Sequence, residues 1–170
     1  MKEFLKSASM LIGCILYSRL LFAGVPEMAN ITPLVAMAVF LPYMTSNKNI
    51  QMFLPVSMLF VTDVIIDIYS NMWLTYTLMV LIGVVSRVLH NGKYSTLMGT
   101  SALSVVLWHL IINIPGPFPP LSPEALLFDL RLLASTMVFA SVFYAIHKAV
   151  TPLAEVIHLN TTKQKYVSRN

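Results

Sequence analysis

Apolar residues follow one another along this chain in runs too long and too unbroken for the core of a soluble domain. Runs at residues 4–22, 50–66, 72–89, 97–114 and 132–150 each approach the roughly 20 residues that carry a helix across a hydrocarbon slab about 30 Å thick. A further run at 33–44 reaches only about 18 Å as a helix and falls short of the slab by about two fifths. It is expected as a short or partly re-entrant second helix. The pattern predicts an all-α integral membrane protein, a six-helix bundle whose second helix is short.

The basic residues test the count, because Lys and Arg in short loops gather on the cytoplasmic side. Six crossings put both termini on one side, together with the loops at Lys48 and from Arg87 to Lys93. That side then holds Lys2, Lys6, Lys48, Arg87, Lys93, Lys148, Lys163, Lys165 and Arg169, with only Arg19 and Arg131 opposite. The expected placement is the cell (inner) membrane, with the N- and C-termini cytoplasmic. Residues 1–157 are expected as a six-helix transmembrane domain and 158–170 as a basic cytoplasmic tail.

Composition narrows the function classes. With 57% hydrophobic and 11% charged residues, and a mean hydropathy of +0.76, the chain is not a soluble enzyme, which would carry about a quarter of its residues charged. The net charge of +4 is spread between apolar runs and encodes orientation, so nucleic acid is not an expected partner. The single cysteine, Cys14, excludes an intrachain disulfide and any paired-cysteine metal site. Leu11-Ile12-Gly13-Cys14 has the form of a lipoprotein cleavage box, but the apolar run continues to Phe22 and is expected to remain a full span. No cofactor or metal is expected. No catalytic serine–histidine or paired-aspartate spacing is present either, so no enzyme is expected.

With this topology the acidic residues Glu27, Asp63, Asp67, Glu124 and Asp129 fall toward the outer end, beside Arg19 and Arg131. Charges in or near hydrocarbon are costly unless paired or facing water, so helical ones turn inward. Asp63 and Asp67 share a helix face; Asp63, a turn deeper, is the candidate ligand or ion-pair residue, and Asp67, Arg19 and Arg131 are supporting ion-pair residues. Thr32 before Pro33 marks a helix start with a hydroxyl cap and proline at the first position. A helix too short to span starts below the outer surface, so its free N–H groups, Thr32 and Asn30 open into the bundle and suit polar or anionic ligand groups. Trp108 offers a stacking face and Asn113 an amide near the same end. His109 suits a proton carrier, with no partner acid identifiable. Pro115-Gly116-Pro117-Phe118-Pro119-Pro120 makes a stiff loop, and Ser122-Pro123-Glu124 starts a new helix, expected as a short interfacial piece over 123–131 before the last span. Ser9 and Gly13 form a small-xxx-small pair that lets a partner helix approach closely.

These residues carry a resemblance. Arg19-Leu20-Leu21, Asn30-Ile31-Thr32-Pro33 running into Ala36, Ala38 and Phe40, Asp63 within Thr62-Asp63-Val64-Ile65, and the stretch from Ser104 to Asn113 resemble, over residues 10–150, small prokaryotic membrane proteins similar to the S components of energy-coupling-factor (ECF) transporters. The resemblance implies a six-helix bundle that binds a small vitamin-like or nucleobase-like molecule from outside, under the loop between the first two helices. It also implies a separate transmembrane coupling subunit, met through small residues of the first helix such as Ser9 and Gly13, and two ATPases. No Walker motif occurs in the chain, so ATP hydrolysis would belong to those partners. The bundle also resembles rod-shape-determining protein D, a scaffold that need carry no ligand; polar residues buried at the outer end favour binding, and an apolar interior favours a scaffold.

Overall fold

The computed structural model describes residues 12–13, 31–66, 68–113 and 122–167, with Asn113 and residues 151–167 described as backbone alone. Among the described residues there is no strand. Five helices follow one another: α1 (Leu34–Met44), α2 (Lys48–Ile66), α3 (Met72–Leu89), α4 (Tyr94–Trp108), which ends in a π turn (His109–Asn113), and α5 (Pro123–Val167). Four segments, Lys48–Ile66, Met72–Leu89, Tyr94–Ile112 and Pro123–Val150, are long and apolar enough to cross a membrane. Of the first apolar run, 4–22, only 12–13 are described, as helix.

The sequence of α1 is apolar on every side, and a helix of that kind belongs inside a bundle. Every residue from Leu34 to Pro42 is buried, Ala36, Met37, Ala38 and Leu41 completely. Its walls are α2, α3, α4 and α5, which pack on one another in that order around it. The outward faces of the walls are themselves apolar, with Phe53, Trp73, Val88 and Leu130 all largely exposed, as suits a surface solvated by acyl chains. Short turns set the up-and-down course. Asn47 caps α2 by accepting from the N–H groups of Asn49 and Ile50 at 3.0 and 3.4 Å, and Ser122 caps α5 through the N–H of Ala125 at 3.1 Å. Between α3 and α4 the chain reverses at Gly92, whose φ of 77° lies in the left-handed region.

One expectation is corrected. Residues 123–131 do not form a separate interfacial helix, because Ser122 caps a single helix and no Gly or Pro interrupts it before Pro152. The backbone of that helix runs on through Val167.

Register follows from side-chain pairs. Thr32 meets Ser135, the Phe40 and Phe143 rings lie 5.8 Å apart, and those of Tyr43 and Tyr144 6.0 Å apart, so α1 and α5 run parallel. Tyr43 against His90, at 4.2 Å between centroids, places α1 parallel to α3. Asp63 with Tyr76 and the approach of Gln51 to Gly83 make α2 and α3 antiparallel, as Tyr94 with Ser141 and His109 with Asp129 do for α4 and α5. The bundle therefore has an upper end, where α1, α3 and α5 begin, and a lower end, where α1 and α3 finish.

At the lower end Tyr43 donates to the carbonyl of Lys93 at 3.1 Å, pinning the α3–α4 turn. Burial pushes the pKa of His90 in that turn below its ordinary value, which keeps the ring neutral against Tyr43. The α2–α3 contact is close because Pro55 has no N–H for the Gln51 carbonyl, and that oxygen points at Gly83, where a Cβ would lie 3.2 Å from it. Gly83→Ala should lower the thermal unfolding temperature in detergent. Overpacking against backbone costs about 1–3 kcal/mol, which outweighs the about 1 kcal/mol that Ala gains over Gly in a helix. Gly99→Ala, with open space around its Cβ, should raise that temperature, and equal shifts in the two variants would remove the close contact as the cause.

Candidate functional site

Asp63, Tyr76 and the His109–Asp129 pair lie at the upper end, above the point where α1 begins. The start of α1 is held by two hydrogen bonds with one side chain: the Thr32 N–H donates to Ser135 Oγ at 3.2 Å, and Ser135 Oγ donates to the Thr32 carbonyl at 3.1 Å. The Thr32 hydroxyl accepts from the Leu34 N–H at 3.3 Å. Pro33 takes the cap position, one residue later than the sequence pattern implies. Since Ser135 lies twelve positions into α5, α1 starts about 18 Å below the upper tip of that helix, at 1.5 Å per residue. The short helix thus starts well below the tip of its neighbour.

Above that start the walls carry the candidates. Asp63, in the last turn of α2, is 2% exposed, and Tyr76 on α3 donates to its Oδ2 at 3.2 Å. The register puts both about one turn, or 4.5 Å, above Thr32. Thr62, beside Asp63, turns its hydroxyl to the carbonyls of Met58 and Leu59 at 3.0 and 2.8 Å and faces no ligand. Trp108, about 7.5 Å above Thr32 by the same count, has a buried Nε1 without a partner among the described residues. A little higher, His109 Nδ1 and Asp129 Oδ2 lie 2.6 Å apart, with side chains 20% and 14% exposed. The π turn that begins at His109 widens the end of α4, and such turns recur at functional sites.

The register thus places Thr32, Asp63 and Trp108 of the expected set at the same end of the bundle. Arg131 is half-buried and makes no salt bridge to a described residue. Asn113 is in the π turn, its side chain outside the described residues, as are Ser9, Arg19, Asn30 and Asp67. Gly13 is exposed, with nothing within 4 Å of a Cβ built on it. Sequence reasoning missed Tyr76, the acid partner of His109, and Ser135. Asp129 sits across the proline-rich loop from His109, and treating the two helices as an antiparallel hairpin would have paired them. Ser101 and Ser104, by contrast, bond their own helix carbonyls at Leu97 and Thr100 and serve packing.

Chemically, the arrangement offers hydrogen-bond donors, one deeply buried carboxylate and an aromatic face. No group of three or more His, Cys, Asp or Glu side chains suited to a metal is found among the described residues. No curated protein and no solved structure matches the chain. A protein family does match, over residues 2–118, and so takes in α1 to α4 and the Asp63, Tyr76, Trp108 and His109 part of this site. With more than half its length matched, the chain belongs to DUF6580, a family of unknown function.

Proposed function

We propose that this protein is the substrate-binding membrane subunit of an uptake system. In this reading it crosses the cell membrane six times with both termini cytoplasmic, and it takes up a small vitamin-like or nucleobase-like molecule at its upper end, which faces outward. Movement of the ligand across the membrane would need a coupling subunit and ATPases from other chains, as the resemblance to S components implies. The observation that supports the reading is the burial of Asp63, 2% exposed, above the start of a helix too short to reach that level. A carboxylate in or near hydrocarbon costs several kcal/mol unless it is paired or serves a polar site. A scaffold needs only apolar packing there.

Native mass spectrometry of the detergent-purified protein tests this. The wild type should carry a small molecule, and the Asp63→Ala and Asn30→Ala variants should lose it while keeping their helical circular dichroism. A ligand retained in both variants removes these residues from the site. A protein free of ligand that co-purifies with cell-elongation proteins supports the scaffold instead.

A further inference from the structure

The buried start of α1 carries donors without an acceptor among the described residues, and a side chain from another helix faces it with a further one. No described group accepts from the N–H groups of Val35 or Ala36; the first intrahelical bond of α1 is Met37 N–H to the Pro33 carbonyl at 2.8 Å, and Leu34 is satisfied by Thr32. Val35 and Ala36 are 2% and 0% exposed, so water does not serve them at the surface. A buried helix start without partners is rare, because each unpaired group keeps its full desolvation cost.

Thr136 supplies the second observation. It is 0% exposed, and its Oγ1 has no partner among the described residues. Ser101, Ser104 and Ser141 all turn their hydroxyls back to the carbonyl four residues earlier, and Thr136 does not. It lies seven positions before Phe143, so the two share a face of α5, and Phe143 packs on Phe40 of α1. Counting seven residues back along the parallel α1 from Phe40 reaches Pro33. Thr136 therefore faces α1 at the level of its free N–H groups, with Trp108 Nε1, also unpartnered, about two turns of helix above.

Two backbone N–H groups, a hydroxyl and an indole N–H, none of them with an acceptor among the described residues, form a set of donors reinforced by the positive end of the α1 dipole. Resting on the binding-subunit reading, we infer that the ligand is seated with an acceptor oxygen, a carboxylate or carbonyl, on the start of α1 and on Thr136, and with its ring toward Trp108. Asp63, a turn above, then stands beside the middle of the molecule and disfavours a second anionic group there.

The test uses the full-length protein in detergent. The molecule that co-purifies is identified by mass. Binding is then measured by equilibrium dialysis with the triplet benzoate, benzamide and benzylamine, and with indole-3-acetate against tryptamine. The inference expects a co-purifying molecule with a carboxylate or carbonyl group, and binding of the acid or amide but not the amine. Thr136→Val should weaken binding about tenfold, the equivalent of one hydrogen bond to a charged group, whereas Thr136→Ser should bind as the wild type does. Acid binding with amide silent assigns a carboxylate, and equal binding of the two assigns a carbonyl. Amines binding as well as acids, or a Thr136→Val variant with unchanged affinity for a ligand that still depends on Asp63, overturns the inference and leaves the binding-subunit reading standing. No co-purifying molecule and no bound probe overturns both.

Discussion

Phe40→Ala is expected to lower stability by about 2–3 kcal/mol, the cavity part of the roughly 3–5 kcal/mol that such a truncation costs in a soluble core. The transfer part largely falls away, since an unfolded membrane helix still rests among acyl chains as apolar as the site it left. What remains is packing. Phe40 is 1% exposed, and its ring lies 5.8 Å from those of Tyr43 and Phe143 and 5.9 Å from that of His147, so three aromatic contacts from two helices meet in one side chain. Reversible unfolding in mixed micelles measures the effect. Phe40→Leu should recover more than half of the loss, and a Phe40→Ala variant as stable as the wild type would mean that α1 is not the packed centre of the bundle.

The second large effect is expected at Ser135. Its hydroxyl both donates to and accepts from the backbone of Thr32, and Ser135→Ala leaves two backbone groups unpaired at a part-buried position. Each such group costs about 1–3 kcal/mol, and partial exposure puts the sum near the low end, at about 2 kcal/mol. The loss should be local as well as global. Amide hydrogen exchange at Thr32 should quicken in Ser135→Ala far more than at Ile82, buried in the middle of α3, and Ser135→Thr should restore protection. A uniform rise in exchange along the chain would show that Ser135 acts on packing alone.

The sequence made the helices legible because a span is written in consecutive residues. The run read at 72–89 coincides with α3, and the short run at 33–44 differs from α1 by one residue at its start. Thr32-Pro33 announced that start through local cap chemistry, and Ser122 announced that of α5. The pairings that build the candidate site are of another kind. His109 and Asp129 are 20 positions apart and Thr32 and Ser135 are 103, and which side chains face each other depends on how neighbouring helices slide and rotate. One π turn at the end of α4 rotates everything after it, and nothing in His109-Leu110-Ile111-Ile112-Asn113 distinguishes that turn from ordinary helix. Asp63 could be chosen from its rarity in an apolar run, but its contact with Tyr76 required the α2–α3 hairpin to be in register. Thr136 lacked any local signal, since a threonine in a membrane helix ordinarily bonds its own backbone.

The enclosure of α1 also bears on how the chain is made. A segment of eleven residues, about 17 Å of helix, is too short to halt in the bilayer as a span in its own right. Its last wall is α5, which leaves the ribosome after the other described helices. Chain growth at about 5–20 residues per second separates synthesis of Thr32 from that of Ser135, 103 positions later, by roughly 5–20 s. Throughout that interval α1 has, of its four described walls, only α2, α3 and α4 to lean on, and the flank that α5 covers stays unfinished. The nascent protein therefore needs shelter at the insertion machinery until α5 has been made, and a ribosome stalled before α5 should leave a product that membrane quality-control proteases remove.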